Sequence, residues 1–279
     1  MSTNPRTERR WFVTGASSGM GRHLVERVLD LGDKVVATVR RPEALADLEA
    51  RHGGALQVEL FDLRDLPAIT GLVERVTAQI PVDVVVNNAG YCVIGALEEL
   101  ADEQIQDQLK TLLHAPIAIT RAFLDALRKN GGGHLLQISS MGGQTAFPGS
   151  SIYHAAKWGL EGFTESVAQE VAPFGIHCTI IEPGAIRTGF GRALQFATEL
   201  PPYETGPVAG LRDYARRGDE IFPGDPAKVA AILVEVTTMP APPLRLALGD
   251  DAFEALGAAF DSRGKILRQY EKLSRSVAL

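Results

Sequence analysis

Short apolar runs alternate with segments of helical periodicity along the whole chain. The apolar runs predict strands at residues 11–13, 34–39, 56–61, 82–86, 134–138, 176–181 and 244–248. Helical spacing predicts helices at residues 24–31, from 42 onward, and at 66–80, 102–129, 151–173, 228–238 and 251–274. Because the strand runs are continuous rather than alternating, they indicate a parallel sheet covered on both faces. We therefore predict one α/β domain over residues 1–279, with a doubly wound parallel sheet of about seven strands and helices on both faces.

One segment does not fit this alternation. Residues 187–225 are rich in glycine and proline and are too long for a plain connection. Open parallel sheets bind ligands at the carboxyl ends of their strands. We therefore expect residues 187–225 to be a substrate-binding loop or a lid over the substrate site.

Composition and charge argue against a nucleic-acid-binding, membrane-spanning or secreted protein. The 279 residues are 45% hydrophobic and carry a net charge of -6, which argues against nucleic acid as the main partner. No apolar run approaches the roughly 20 residues of a membrane span, and the polar N-terminal residues do not resemble a signal peptide. Cys92 and Cys178 lack metal-ligand spacing, so no metal site is expected. These features predict a cytoplasmic protein.

A glycine-rich turn joins the first predicted strand to the first predicted helix. Glycines let backbone amides approach a pyrophosphate, and a helix N-terminus adds positive potential. The position of this turn predicts a dinucleotide site. The turn residues expected to bind are Gly15, Ser17, Ser18, Gly19, Met20 and Gly21.

The ends of the second and third predicted strands bear on the choice of dinucleotide. An acidic residue after the second strand would bind the ribose hydroxyls of NAD. Arg40 and Arg41 stand there instead and suit the 2′-phosphate of NADP, so NADP is favoured over NAD. The alternative is that both arginines are solvated surface charges. After the third strand, Asp62 and Leu63 would meet the adenine, or Asp62 would simply cap a turn.

Tyr153 and Lys157 are four residues apart in a predicted helix and so share one face. A phenol has a pKa near 10, and a neighbouring ammonium group is expected to lower it. Such a phenol can exchange a proton with a substrate oxygen, and Ser140, thirteen residues earlier, could hold that oxygen. A purely structural Tyr/Lys pair is the alternative.

These motifs together resemble the short-chain dehydrogenase/reductase family. The resemblance rests on Thr14-Gly15-x-x-x-Gly19-x-Gly21, Asn87-Asn88-Ala89-Gly90, Ser140, Tyr153-x-x-x-Lys157 and Pro183-Gly184. It implies a single-domain Rossmann fold and nicotinamide-dependent interconversion of carbonyls and alcohols, most like bacterial NADP-dependent carbonyl and hydroxysteroid-type reductases. It also implies a homodimer or homotetramer.

The resemblance assigns expected roles to single residues. Tyr153 would be the general acid/base, Lys157 would lower its pKa and bind the nicotinamide ribose, and Ser140 would polarise the substrate oxygen. The remaining cofactor-binding positions would be Asn88, Ala89, Gly90, Pro183, Gly184, Ile186 and Thr188, with Asn87 steadying the central strand.

The chain departs from the family pattern at Leu112, where the family usually carries a catalytic asparagine. Three interpretations are open. The alignment is shifted, or a backbone carbonyl or His114 holds the water that the asparagine would hold, or the enzyme is slow. An idle dinucleotide-binding sensor or scaffold is therefore the alternative function. Epimerase or dehydratase chemistry is not excluded by Ser140, Tyr153 and Lys157.

Apolar side chains are expected to wall the substrate site. A mainly apolar pocket predicts a small hydrophobic carbonyl or alcohol substrate, although such residues can also just pack a lid. The predicted substrate-binding residues are Tyr91, Met141, Phe147 and Phe190.

Overall fold

A computed structural model describes residues 8–79, 81–188, 194–218 and 221–278. The strands are β1 (Arg10–Thr14), β2 (Lys34–Val39), β3 (Leu56–Leu60), β4 (Val84–Asn87), β5 (Val93–Ile94), β6 (Gly133–Ile138), β7 (Ile176–Pro183), β8 (Gln195–Phe196) and β9 (Arg245–Leu248). Seven of them form one sheet in the order β3-β2-β1-β4-β6-β7-β9, and all neighbouring strands run parallel. Strands β5 and β8 pair separately.

Helices connect the strands and cover both faces of the sheet. No helix in the described ranges is long and apolar enough to cross a membrane. The helices are α1 (Gly19–Asp30), α2 (Ala46–His52), α3 (Ile69–Gln79), α4 (Asp102–Leu109), α5 (Ala115–Lys129), α6 (Ser151–Val171), α7 (Pro207–Arg217), α8 (Pro226–Val236), α9 (Asp250–Gln269) and α10 (Glu271–Arg275).

The core has two halves, one on each face of the sheet. Trp11 and Phe12 are adjacent in β1 and fully buried, but they point to opposite faces because side chains alternate along a strand. Trp11 packs in the cluster with α1 and α8, and Phe12 packs in the cluster with α3, α5 and α6. The Trp11 indole donates a hydrogen bond of 3.0 Å to Asp33, so its buried polar atom is satisfied.

The predicted parallel sheet of seven strands is confirmed, but three features differ from the sequence prediction. The short strands β5 and β8 were not predicted, because two-residue strands carry no periodic signal. The predicted helix at 102–129 contains a π-helical turn at Lys110–His114 between α4 and α5. The predicted final helix is interrupted at Tyr270, between α9 and α10.

The segment predicted as a lid is partly regular. We call its described residues 194–218 the lid segment. It contains β8, which pairs with β5, and helix α7. Leu194, Leu211 and Ala215 of the lid segment pack with Cys92 and Tyr153 in one apolar cluster. The lid segment therefore lies over Tyr153.

A buried ion pair fastens the lid segment to the chain before α4. The side chains of Glu99 and Arg212 are 0% and 1% exposed, and Arg212 donates a hydrogen bond to the Glu99 carboxylate. Glu99 also accepts hydrogen bonds from the backbone of Ala96, at 2.6 Å, and of Leu200, at 2.8 Å. Burial raises the pKa of Glu99, but these backbone hydrogen bonds and Arg212 outweigh it and hold that pKa below its usual range. Glu99 thus stays ionised beneath the lid segment.

We predict that Arg212→Met loosens the lid segment, because it leaves a buried carboxylate without its cation. Loss of one partner of a buried pair costs about 3–5 kcal/mol. Hydrogen exchange should accelerate in α7 far more than in β6. The control is Arg216→Met on the same helix, whose half-exposed side chain pairs with Glu199 at 2.6 Å and should contribute no more than about 1 kcal/mol. Equal exchange in α7 of the two variants would contradict the prediction.

We also predict an acid-sensitive contribution from His134. Burial, with His177 and Arg9 adding to it, lowers the pKa of this residue to about 3. The unfolded value is about 6.5, so this contribution to stability is fully present above that pH. It is lost as the pH falls from about 6.5 towards 3, at up to about 1.4 kcal/mol per pH unit.

The check is urea unfolding of wild type and His134→Gln between pH 7 and pH 4.5. The variant should lose the His134 part of the pH slope while still reaching Thr179, which lies 2.9 Å from the imidazole. The exposed neighbour His177 supplies the control, because His177→Gln removes only the smaller contribution of His177 to the shift, leaves His134 buried, and should keep most of the slope. An unchanged slope in His134→Gln would rule the prediction out.

Candidate functional site

A cleft of about 530 Å³ runs along the carboxyl edge of the sheet. Its walls come from the loops after β1, β2, β3, β4 and β6, from helices α4 and α6, and from the lid segment. The predicted residues that line it are Gly15, Ser17, Ser18, Gly19, Met20, Arg40, Asp62, Leu63, Asn88, Ala89, Gly90, Tyr91, Tyr153, Lys157 and Thr188.

The glycine turn has the backbone that a phosphate site requires. Gly15 and Gly19 have φ of 66° and 57°, in the left-handed region where a side chain is strained. A Cβ on Gly15 would also lie 2.6 Å from the Cα of Ala89. Asn88 fixes the turn by donating hydrogen bonds to the carbonyls of Thr14, at 2.9 Å, and Gly15, at 3.0 Å. The N-terminus of α1 therefore opens onto the cleft with free space for an anion.

Gly21 and Asn87 lie behind this turn rather than on the cleft. A Cβ on Gly21 would collide with the Asn88 side chain and the Gly15 carbonyl, so this glycine permits close packing of α1. Asn87 is buried and donates a 3.3 Å hydrogen bond to Thr120 of α5. Both residues support the turn from beneath.

The two arginines after β2 differ in position. Both are exposed, but Arg40 lines the cleft and Arg41 is absent from the described lining. Asp62 accepts a 3.0 Å hydrogen bond from the Arg64 backbone, which is the turn-capping geometry. The Arg64 guanidinium also bridges Asp62, at 2.6 Å, and Asp107 of α4, at 2.7 Å. The Arg64 hydrogen bond holds the pKa of Asp62 below its usual value.

Helix α4 and the π-helical turn form a wall that the sequence analysis missed. Glu103, Asp107 and Thr111 line the cleft at intervals of four residues. This polar spacing on a helix that follows a strand end is the signal that could have identified them. Burial raises the pKa of Tyr91, and a hydrogen bond with Thr111 opposes this effect.

Ser140, Tyr153 and Lys157 meet where the lid segment covers the cleft. The Ser140 side chain lies beside the Tyr153 hydroxyl and accepts a 3.0 Å hydrogen bond from the backbone of Gly142. The Lys157 ammonium is 5.8 Å from the centre of the Tyr153 ring and donates a 2.6 Å hydrogen bond to the Ile138 carbonyl. The structure thus brings these three predicted residues together.

Burial controls the charges of this group. It raises the pKa of Tyr153, and Ser140 only partly opposes that effect, which differs from the expectation that Lys157 lowers it. Burial also lowers the pKa of Lys157 to about 8, with the Glu161 carboxylate opposing the shift. At neutral pH the phenol is therefore protonated and the amine is charged.

A buried acidic pair behind Lys157 was also missed. Glu161 lies one helical turn after Lys157, accepts a 2.9 Å hydrogen bond from Arg245, and contacts the Ser139 hydroxyl. Glu182 of β7 accepts a 2.5 Å hydrogen bond from Gln144. Burial raises the pKa of both carboxyls. The one signal in the sequence is the acidic residue Glu161 four residues after Lys157, a spacing that places both side chains on the same helix face.

The Leu112 side chain is buried and packed against its neighbours. Its side chain is 1% exposed, and its Cδ2 would lie 3.2 Å from a Cβ on Gly90. His114 is exposed and does not belong to the described cleft lining, so the geometry does not favour it as a water ligand beside Lys157.

Three predicted cofactor residues lie off the described cleft lining. Pro183 ends β7, and Gly184 packs against Asp251, which accepts a 2.7 Å hydrogen bond from the backbone of Ala185. Ile186 is buried against Gly224. These contacts hold the chain between β7 and Thr188, the residue that does reach the cleft.

The predicted substrate-binding residues differ in whether they line the cleft. Tyr91 lines the cleft, whereas Met141 and Phe147 do not belong to its described lining. The Phe147 ring stacks edge-on against His154 with centroids 4.4 Å apart, and its backbone donates to the same imidazole. Both ring nitrogens of His154 are thereby used within the loop between β6 and α6, since the other one hydrogen-bonds the Gly142 carbonyl. Phe190 lies outside the described residues.

Comparison with known proteins identifies the family. Residues 9–197 match the family described as short chain dehydrogenase. Oxidoreductase BOA17 of Botryotinia fuckeliana (strain B05.10) is 35% identical over 271 residues, covering 96% of this chain and 98% of the relative.

Two solved structures extend the comparison. A short-chain dehydrogenase from Streptomyces avermitilis is similar with a TM-score of 0.91 and 41% identity, covering 98% of this chain and 100% of that one. A metagenomic short-chain oxidoreductase in complex with NADP has a TM-score of 0.69 and 25% identity, covering 86% of this chain and 96% of that one. With the parallel sheet and the dinucleotide-sized cleft, these matches show that the chain belongs to the short-chain dehydrogenase/reductase family of NAD(P)-dependent oxidoreductases.

Proposed function

We propose that this protein interconverts a small hydrophobic carbonyl compound and its alcohol with NADP(H), using Tyr153 as the general acid/base. The observation that carries the proposal is the position of Ser140 beside the Tyr153 hydroxyl under the lid segment, with Lys157 one helical turn away and 5.8 Å from the centre of the Tyr153 ring. A substrate oxygen placed beside both hydroxyls could accept a proton there.

The cleft fits a dinucleotide. The left-handed Gly15 and Gly19 leave room for phosphates, and Arg40 offers a guanidinium at the end of β2. When bound, the nicotinamide supplies or accepts the hydride. Lys157 would hold the nicotinamide ribose, and Thr188 would contact the same end of the cofactor.

The proton chemistry follows from the charges of the three residues. Ser140 would hold the substrate oxygen and keep it in line with the phenol. The raised pKa of Tyr153 keeps its proton in place, which is the form that carbonyl reduction needs. As that proton leaves, the Lys157 ammonium would stabilise the phenolate. Glu161 supports this role because it opposes the effect of burial on the pKa of Lys157.

The surroundings of Tyr153 support an apolar substrate. Cys92, Ile94, Leu194 and Leu211 cluster against Tyr153 under the lid segment. Such a wall favours hydrophobic ketones, aldehydes or alcohols, and it excludes water that would compete for the oxygen.

Leu112 favours a second candidate, a dinucleotide-binding sensor that turns over no substrate. Its buried alkyl side chain cannot hold a relay water by hydrogen bonding. Tight binding of NADPH without oxidation of NADPH by any member of a broad panel of apolar ketones and aldehydes would favour this candidate.

We predict that Tyr153→Phe lowers the turnover of an apolar ketone about 10²–10⁴-fold, the usual contribution of a positioned acid. NADPH binding, followed by nicotinamide fluorescence, should be retained. Tyr91→Phe is the matched control, since it removes a hydroxyl from the same cleft and should leave most of the turnover. Full activity in Tyr153→Phe would refute the proposed acid/base role.

We predict that Arg40→Asp weakens NADPH binding roughly 10–100-fold and leaves NADH binding nearly unchanged. The estimate corresponds to losing a charge-assisted hydrogen bond to the 2′-phosphate. Arg41→Asp changes the net charge equally but lies off the cleft lining, so its effect should be small. Equal losses for both cofactors in Arg40→Asp would refute the NADP preference.

A further inference from the structure

The loop that carries Ser140 contains two adjacent glycines, Gly142 and Gly143, between β6 and α6. We call residues 139–147 the serine loop. A Cβ on Gly142 would lie 3.0 Å from the His154 ring and 3.3 Å from the Tyr153 ring, so the two rings leave little room for a side chain there. Glycine has more backbone freedom than any other residue. The serine loop therefore needs further contacts to hold Gly142 in one conformation.

Gly142 determines the direction of the Ser140 hydroxyl. Its backbone N–H donates a 3.0 Å hydrogen bond to the Ser140 Oγ. A hydroxyl group has one proton to donate and two lone pairs that accept. Because one lone pair accepts from Gly142, the proton of Ser140 points away from that amide and is free for the oxygen placed beside Tyr153. Movement of Gly142 would let the Ser140 hydroxyl turn to another staggered position.

The imidazole of His154 holds the other side of Gly142. Its Nδ1 lies 2.8 Å from the Gly142 carbonyl, which can only accept, so Nδ1 carries a proton. Its Nε2 lies 3.2 Å from the backbone nitrogen of Phe147, whose N–H can only donate, so Nε2 carries none. The two hydrogen bonds thus select one neutral tautomer of His154, and that tautomer donates to Gly142.

Ring contacts keep this imidazole in place. The Phe147 ring lies edge-on to it at 4.4 Å, and the Tyr153 ring lies near perpendicular to it at 5.9 Å, between centroids. The His154 side chain is buried, and burial lowers its pKa, so the ring is neutral at pH 7. His154 is therefore a fixed, neutral donor between Tyr153 and the serine loop.

We propose that His154 is a positioning residue whose Nδ1–H fixes the orientation of the Ser140 hydroxyl through Gly142. The inference rests on the proposed function, in which Ser140 holds the oxygen that Tyr153 protonates. Tyr153 and His154 are consecutive in α6. One helical segment thus places the phenol directly and the serine hydroxyl indirectly, so the distance between the two hydroxyls does not depend on the glycines of the serine loop.

Amide substitutions separate the two ring nitrogens. The amide of His154→Asn is as many bonds from the backbone as Nδ1 and can donate to Gly142, whereas the amide of His154→Gln matches Nε2 and reaches only Phe147. His154→Gln should lower kcat for an apolar ketone about 10–100-fold, the cost of misplacing a reacting group by about 1 Å. The KM for NADPH should stay unchanged. His154→Asn should retain most of the turnover, and equal losses in the two variants overturn the proposal.

Trp158→Phe is the matched control. Trp158 lies one turn further along α6 and donates a 3.2 Å hydrogen bond to the Thr145 carbonyl of the same loop, away from Gly142. Its loss removes one hydrogen bond between α6 and the serine loop but leaves Ser140 oriented, so most of the turnover should remain. A loss as large as that of His154→Gln would mean that any weakening of the loop suffices, and it overturns the role of Nδ1.

A double substitution tests whether His154 acts through Ser140. In the Ser140→Ala background there is no hydroxyl to orient, so adding His154→Gln should lower the residual kcat by no more than roughly twofold, the usual limit of additivity error. A further loss as large as in wild type overturns the proposal, because it shows that the two residues act independently.

Hydrogen exchange at Gly142 needs no turnover and separates this inference from the proposed function. Methionine precedes glycine only at Met20-Gly21 and Met141-Gly142 in the sequence. Protein labelled with ¹³C at methionine carbonyls and ¹⁵N at glycine therefore gives two amide signals in a carbonyl-filtered NMR spectrum, and Met20→Leu removes one of them, which assigns the other. Gly21 is the internal control.

Exchange of the Gly142 amide should accelerate about fivefold or more in Ser140→Ala and in His154→Gln, the effect of losing one hydrogen bond. In His154→Asn it should stay near the wild-type rate, and Gly21 should not change in any of the three. Unaltered exchange at Gly142 in His154→Gln overturns the inference even if the wild type reduces ketones. A wild type that reduces none, with the expected exchange pattern, refutes the proposed function and still supports the orientation of Ser140 by His154.

Discussion

The parallel alignment of the seven strands is the constraint on which the site depends. Because β1, β2, β3, β4 and β6 all end at the same edge, the loops that follow them meet in one cleft, although more than a hundred residues separate the first loop from the last in sequence. The glycine turn after β1 and the asparagine loop after β4 are neighbours for this reason, and Asn88 ties them together through the carbonyls of Thr14 and Gly15. A strand reversed anywhere among these five would remove its loop from the cleft.

Burial then determines the charges at the covered end of the cleft. The lid segment packs over Tyr153, and the same exclusion of water keeps the phenol protonated and moves the pKa of Lys157 towards neutrality. Glu161 acts in the opposite direction on Lys157. The lid segment is itself held by a buried ion pair, since water does not reach Glu99 and Arg212 to screen the attraction between their charges. Electrostatics under the lid and attachment of the lid are therefore linked through the exclusion of water.

The sequence predicted most of the sheet, because continuous apolar runs such as residues 34–39 bury both faces and are hard to mistake. It also related Ser140, Tyr153 and Lys157, which lie close together in the structure, because one helix turn and one strand end suffice to relate them. It failed where position depends on tertiary contacts. Arg40 and Arg41 are equivalent in sequence, yet only Arg40 lines the cleft, and Arg212 finds Glu99 across more than a hundred residues. Periodicity reports which face is buried, not which distant segment covers it.

The π-helical turn at Lys110–His114 gives one helix two orientations. A π-helical turn accommodates about one more residue than an α-helical turn, so it shifts the phase of all following side chains by about 100°. Before the turn, the side chains of Glu103 and Asp107 line the cleft. After it, the side chains of Ile119 and Phe123 are buried in the core on one face of the sheet. A uniform helix would hold a single phase throughout. Because of the extra residue, the side chains that line the cleft and the side chains that pack in the core can each face the correct direction on one continuous helix.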